Sequence, residues 1–83
     1  MTVEEKVKEI LLEILDIKEG DIVPTAVLTD DLNASSIDLV EILTSFQNAF
    51  DVDIDDSQAS TLKTVQDAID FLKTAMAQKQ SAR

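Results

Sequence analysis

The sequence predicts an all-α fold, a small four-helix bundle with three main helices, one short helix and a long packed loop between helices 1 and 2. Three segments repeat apolar residues at the three- and four-residue spacing of an amphipathic helix. No segment sustains the period of two that is expected of a β-strand. Because 83 residues make one domain, we expect a domain over 1–78 and a frayed polar tail over 79–83.

The first helix is predicted close to the start of the chain, where Thr2 followed by Glu5 has the form of a capping box. Its apolar stripe consists of Val3, Val7, Ile10, Leu11, Ile14 and Leu15. The next segment, 17–35, is longer than the usual limit of about 12–15 residues for a loop, and Gly20 and Pro24 keep it from being helical throughout. We expect it to pack across the bundle through Ile22, Val23, Val27, Leu28 and Leu32.

The second helix is predicted over about 36–50, with one apolar side made of Leu39, Val40, Leu43, Phe46 and Phe50. The segment 55–62 is long enough only for a short helix or a turn. The last helix is predicted from Val65 to about Met76, and Thr64 with Asp67 repeats the capping-box pattern before it. Its apolar face consists of Val65, Ala68, Ile69, Leu72 and Met76.

The composition argues against an enzyme. Without cysteine, the chain can form neither a disulfide nor a thiolate zinc site. Without histidine, it lacks the usual general base and the commonest metal ligand. The first residues have no basic segment followed by an apolar core, and no apolar run approaches the roughly 20 residues that span a bilayer. We therefore expect a soluble, cytoplasmic protein.

The charge is strongly negative, −10 at pH 7, and it is unevenly distributed. Ten acidic residues and no lysine or arginine lie between Glu19 and Leu62. Such a surface repels nucleic acids and anionic membranes and attracts basic protein patches. We therefore expect no nucleic acid and no membrane insertion, although solubility alone is an alternative explanation of the charge.

The segment DVDIDDSQASTL, 51–62, begins like a calcium-binding loop, with acids at its first, third and fifth positions. Such a loop also needs glycine at the sixth position and a bidentate glutamate at the twelfth. Those positions hold Asp56 and Leu62. We therefore predict no specific metal site.

Two adjacent serines stand where the second helix begins. If Ser35 is the N-cap, Asp38 falls at the third helical position and completes a variant capping box. The hydroxyl of Ser36 is then free at the helix N-terminus, where backbone N–H groups and the helix dipole favour an anionic group such as a phosphodiester. Ile37 and Val40 would offer apolar contact beside it. A purely structural role for both serines stays open at this point.

The stretch LTDDLNASSIDLVEILTSFQNAFDVDID resembles the acyl carrier protein family, in which an acidic loop ends in Leu-Gly-Ala-Asp-Ser-Leu-Asp before Val-Glu-Leu. The likeness runs without gaps from VEEKVKEIL near the start to TVQDAIDFL near the end. The resemblance implies that a separate, magnesium-requiring transferase attaches 4′-phosphopantetheine from coenzyme A to Ser36. The thiol of that arm would hold an acyl group as a thioester, and the carrier itself would catalyse nothing.

The resemblance also implies a docking surface on the second helix. The residues that match partner-binding positions of the family are Ile37, Asp38, Val40, Glu41 and Asp56. The implied partners are a phosphopantetheinyl transferase and acyl-transferring and acyl-modifying enzymes with basic docking patches. We expect the carrier to be a monomer.

Three departures from the family pattern indicate a specialised member. Ser35 stands where the family has aspartate, and Asn33, which tolerates similar turn geometry, stands where it has glycine. Lower on the second helix, Gln47, Asn48 and Ala49 replace typical glutamates. General fatty acid synthesis, a dedicated pathway, and an aminoacyl, D-alanyl or polyketide carrier all stay open. The alternative outside this family is an acidic helical adaptor or inhibitor that binds a basic protein surface without a prosthetic group.

Overall fold

A computed structural model describes residues 2–81, with the side chains of 79–81 left out. The α-helices of the described residues are α1 Val3–Ile14, α2 Ser36–Phe50, α3 Asp56–Ala59 and α4 Val65–Ser81, and a 3-10 turn lies at Glu19–Asp21. The predicted all-α architecture, with three main helices and one short one, is thereby confirmed. In the same residues, β-structure is limited to one antiparallel bridge between Val27 and Thr64. None of the described helices is long and apolar enough to cross a membrane.

Each α-helix begins at a capping box. At α1, the N–H of Glu5 donates to Thr2 Oγ1 at 3.1 Å, and the N–H of Thr2 donates to the Glu5 carboxylate at 2.9 Å. This backbone donor lowers the pKa of the Glu5 carboxyl. Reciprocal pairs of the same kind start the other helices: Ser35 with Asp38, Asp55 with Gln58, and Thr64 with Asp67. The three predicted boxes are confirmed, and the box at Asp55 was not predicted.

The core lies where α1 packs against α2 and α4. The largest fully buried side chains are Phe46, Leu11, Ile42, Leu72 and Val7. Burying one such side chain contributes about 1.5–3 kcal/mol. The predicted stripes of α1 and α4 are confirmed, because their members are buried or packed against the core.

The prediction that Val40 belongs to the buried apolar stripe of α2 is wrong. Val40 is 64% exposed, whereas Ile42, which was not in the predicted stripe, is 1% exposed. At about 3.6 residues per turn, Ile42 lies almost directly above Phe46, and Val40 lies about a third of a turn away from that line. Val40 is therefore on the outer side of α2, and Ile42 takes its place in the core.

The long loop packs across the bundle, as predicted. The N–H of Leu28 donates to the carbonyl of Lys63 at 2.9 Å, and the N–H of Val65 donates to the carbonyl of Ala26 at 3.0 Å. These bonds attach the loop to the connection between α3 and α4. The prediction that Val23 is buried is wrong, since it is 45% exposed in the turn before Pro24, and Ala26 is buried instead.

The last helix is longer than predicted, because α4 continues past Met76 to Ser81. No proline or glycine follows Met76, and the alanine, glutamine and lysine residues there are good helix formers. Polar composition alone does not end a helix. Fraying of the tail over 79–83 stays a prediction, and its last two residues lie outside the described part of the chain.

The turn before α2 depends on Asn33, whose φ of 58° is left-handed. Such a φ costs a residue with a β-carbon roughly 1–2 kcal/mol, but asparagine visits it more readily. The N–H of the next residue, Ala34, donates to the carbonyl of Leu28 at 2.9 Å and closes the turn. The expectation that Asn33 replaces a glycine in this geometry is confirmed.

Replacing Asn33 with alanine is therefore expected to lower the free energy of unfolding by about 1 kcal/mol, whereas Asn33→Gly should cost less. Urea denaturation measures both. Thr25→Ala, in the same loop at an exposed position without a side-chain hydrogen bond in residues 2–81, is the control and should change stability by less than about 0.5 kcal/mol. Equal losses in Asn33→Ala and Asn33→Gly would contradict a role for backbone strain.

Candidate functional site

The start of α2 is held by Ser35. Its backbone is extended, with φ −78° and ψ 173°, as is typical of an N-cap. The N–H of Asp38 donates to Ser35 Oγ at 3.2 Å, and the N–H of Ser35 donates to Asp38 Oδ2 at 3.1 Å. The predicted role of Ser35 as helix cap is confirmed, and its hydroxyl is occupied by that role.

The neighbouring Ser36 is the first residue of α2, and its side chain is exposed. Its hydroxyl makes no hydrogen bond within residues 2–81. The backbone N–H groups of Ser36 and Ile37 also lack an acceptor in that part of the chain, as is usual in the first turn of a helix. A free hydroxyl thus stands beside free donors at the positive end of the α2 dipole, and these features fit an attached phosphodiester.

Beside Ser36, an apolar strip is exposed on α2. Ile37 is 73% exposed and Val40 is 64% exposed, and both are flanked by the carboxylates of Asp38 and Glu41. The ion pairs within the described residues all involve α1, so neither carboxylate is paired with a lysine or arginine there. This strip combines unpaired negative charge with apolar contact area.

The remaining predicted partner residue, Asp56, lies on a different element. It is the first residue of α3, where its side chain is exposed and makes no hydrogen bond or ion pair within residues 2–81. The capping role there belongs to Asp55, whose pKa is lowered by the N–H donated from Gln58. In residues 2–81, no group of acidic side chains is arranged to hold a metal ion.

A small apolar cavity of about 40 Å³ lies between α2, α3 and the long loop. Its lining residues are Leu28, Leu39, Ile42, Leu43, Phe46, Ala59 and Leu62. The cavity begins at Leu39, three residues after Ser36 and so about one helical turn from it. Sequence reasoning missed this cavity, although the apolar pair at 59 and 62 was a sign that the short segment faces the core.

A small helical domain that presents a free hydroxyl at a helix N-terminus, beside a small apolar cavity, is suited to carry a covalently attached group. Comparison with known proteins agrees, since the family model described as the phosphopantetheine attachment site matches residues 5–72. The acyl carrier protein of Desulforapulum autotrophicum is 47% identical over 74 residues, which are 88% of this chain and 96% of that protein. A solved structure of the acyl carrier protein from Enterococcus faecalis is similar with a TM-score of 0.73 and 29% identity, over 90% of this chain and 99% of that one.

The chain therefore belongs to the acyl carrier protein family. Membership implies a covalently attached 4′-phosphopantetheine as its prosthetic group. It also implies interaction with biosynthetic enzymes. The predicted family, fold class and cofactor are confirmed.

The two serines should respond differently to removal of their hydroxyls. We expect Ser35→Ala to lower the free energy of unfolding by about 1 kcal/mol, because the N–H of Asp38 loses its acceptor. Ser36→Ala should change it by less than about 0.5 kcal/mol, because no hydrogen bond is lost. Denaturant titration of the unmodified chains measures both effects, and Ser35→Asp should restore the cap. A larger loss in Ser36→Ala than in Ser35→Ala would contradict this assignment.

Proposed function

We propose that Ser36 is the attachment point of the 4′-phosphopantetheine arm and that the chain carries acyl groups between biosynthetic enzymes. The free, exposed hydroxyl of Ser36 is the observation that carries this proposal. It is supported by the capping role of Ser35, which leaves the neighbouring hydroxyl without a structural task. When attached, the arm supplies a thiol that holds an acyl group as a thioester.

The residues of this chain bind and present the group, and the partner enzymes perform the chemistry. The free N–H groups of Ser36 and Ile37 favour the negative charge of the phosphodiester at the helix start. Neither histidine nor cysteine occurs in the sequence, so the common general base and thiolate nucleophile are absent. These features support a carrier role without catalysis.

The attachment is tested by offering the purified chain coenzyme A, magnesium and a phosphopantetheinyl transferase, and by measuring its intact mass. We expect the mass to rise by one phosphopantetheine in the wild type and to stay unchanged in Ser36→Ala. The variant is a valid control because its fold should be intact. A wild-type chain that keeps its bare mass would favour the acidic adaptor, which binds a basic surface without an arm.

Docking is proposed to use the strip beside Ser36. Ile37 and Val40 offer apolar contact, Glu41 offers negative charge on the same helix, and Asp56 adds a second acidic point on α3. A partner patch with an apolar centre and a basic rim complements this surface. The phosphopantetheinyl transferase and the acyl-transferring enzymes would meet it in turn.

The charge of Glu41 gives the sharper test of docking, because the carboxylate of Asp38 also caps α2. We expect Glu41→Lys to slow association with the transferase about tenfold at low ionic strength and less at high salt, since fixed charges steer association. Glu13→Lys makes the same charge change at an exposed position of α1 and is the matched control. Stopped-flow association rates that fall equally in both variants would contradict a specific surface on α2.

The lower part of α2 differs from its start. Gln47 is half-buried and its amide accepts a hydrogen bond from the N–H of Ile54 at 3.3 Å, while Asn48 and Ala49 are exposed and uncharged. The proposed docking surface is therefore acidic near the start of α2 and neutral near its end. This distribution supports a dedicated set of partner enzymes in fatty acid, polyketide or related biosynthesis.

The acyl group is proposed to enter the cavity between α2 and α3. Its volume of about 40 Å³ is far below the roughly 150 Å³ of a cavity that holds benzene, so an acyl chain enters only if the helices separate. Each methylene that leaves water then contributes about 0.8 kcal/mol. The helices therefore close when the carrier is empty and open when it is loaded.

Loading should raise the melting temperature, and a longer acyl group should raise it more. We expect the octanoyl form to melt several degrees above the acetyl form, because about 1 kcal/mol shifts the melting temperature of a domain this small by roughly 4–8 °C. Calorimetry on the two loaded forms measures the difference. Equal melting temperatures would show that the acyl chain stays outside the bundle.

A further inference from the structure

An open groove of about 500 Å³ lies between α4 and the connection from α2 to α3. It is at the opposite end of α2 from Ser36. Phe50, the last residue of α2, comes fourteen residues after Ser36 and so lies about 21 Å from it along the helix axis. A short segment bound in the groove therefore leaves Ser36 and the apolar strip beside it uncovered.

One wall of the groove is a face of α4. Its residues are Phe71, Thr74, Ala75 and Gln78, whose spacing of three and four residues places them on one side of the helix over two turns. From Phe71 to Gln78, this wall is about 10.5 Å long. Phe71 and Ala75 are half-buried and offer apolar contact, whereas Thr74 and Gln78 are exposed and polar. The wall therefore combines an apolar surface with a polar edge.

The other wall is the connection between α2 and α3, and Gln47 holds its shape. The N–H of Val52 donates to the backbone carbonyl of Gln47 at 3.2 Å, and the N–H of Ile54 donates to the Gln47 side-chain oxygen at 3.3 Å. These two bonds fix the backbone on both sides of Asp53, which lines the groove together with Val52. A partner therefore meets a groove that is already formed, and preorganisation of this kind lowers the cost of binding.

The charge of the groove is negative. Asp51 and Asp53 belong to its lining, and the lining side chains that the structure describes include no lysine or arginine. The carboxylate of Asp53 forms no ion pair within residues 2–81. A second copy of this chain, with a net charge of −10, would be repelled from such a surface. A small molecule would stay largely in water, because the groove is open, whereas ligand pockets bury about 70–90% of a ligand.

We propose that this groove binds a basic amphipathic helix of a partner protein and is a docking surface separate from the strip beside Ser36. Such a helix places apolar side chains of successive turns into a groove, and two of its turns match the length of the α4 wall. Its apolar face packs on Phe71 and Ala75, and its lysines or arginines lie against Asp53. A contact this small gives weak, transient binding. The protein can thus be held at one end while Ser36 stays accessible at the other.

The probe is a synthetic peptide of about 14 residues, with leucines on one helical face and lysines on the other, titrated into the unmodified, isotope-labelled chain. We expect the NMR amide signals of Val52, Asp53, Thr74 and Ala75 to shift on binding. Asp53→Lys should weaken this binding about tenfold, because it replaces attraction with repulsion. Asp16→Lys makes the same charge change at an exposed position just after α1, outside the groove, and should weaken it less than about twofold because of screening.

Thr74→Lys puts a positive charge on the α4 wall and should weaken binding as Asp53→Lys does, which keeps the test decisive if either variant fails to fold. Shifts of the Ile37 and Glu41 amides report the strip beside Ser36, and Asp53→Lys should leave them unchanged. Shifts confined to that strip, or equal weakening by Asp53→Lys and Asp16→Lys, would overturn the proposal.

A second copy of the chain is the other occupant to test. Sedimentation equilibrium of the unmodified chain should show a monomer. A dimer that Asp53→Lys dissociates would overturn the proposal by assigning the groove to that second copy. Failure of phosphopantetheine to attach to Ser36 would overturn the proposed function alone, because both measurements use the unmodified chain.

Discussion

The reciprocal hydrogen bonds between Ser35 and Asp38 are the interaction on which the site depends. They fix the residue at which α2 begins, with donor–acceptor distances of 3.1 and 3.2 Å. A start one residue later would turn Ser36 into the cap and occupy its hydroxyl. Because the box is complete at Ser35, the next hydroxyl is exposed on the first turn of a rigid helix. The left-handed turn at Asn33 supports this arrangement by bringing the chain to the cap from the packed loop.

The bundle has a firmly packed part and a part that we propose opens. α1 packs against α2 and α4 and buries the largest side chains of the core. α3 is one turn long. It begins at the capping box of Asp55 and lies over a small apolar cavity. Both properties suit the proposed carrier role, in which the attachment site keeps its position while the acyl chain enters and leaves. The acidic surface adds a third property, because Asp38 and Glu41 form no ion pair within residues 2–81 and unpaired negative charge attracts basic partner surfaces.

The fold and the helix starts could be predicted from the sequence because they depend on local rules. Capping boxes involve residues three apart, and the turn at Asn33 depends on one residue type. The assignment of Val40 and Ile42 to opposite sides could not be read from apolar spacing alone, since Leu39-Val40 and Ile42-Leu43 are two apolar pairs whose members all compete for the core. The cavity depends on how the α3 segment lies over α2, which is a long-range packing property. The proposed role of Ser36 came from the family resemblance, because serines at helix starts are common and most of them are only caps.

We propose that the two adjacent hydroxyls have separate tasks, so that Ser35 caps α2 and only Ser36 bears the arm. Fragmentation mass spectrometry of the loaded chain tests it directly, because backbone cleavage between the serines assigns the added mass to one of them. We expect every fragment that contains Ser36 to carry the phosphopantetheine and N-terminal fragments that end at Ser35 to lack it. Added mass on Ser35, alone or in a mixture, would contradict it.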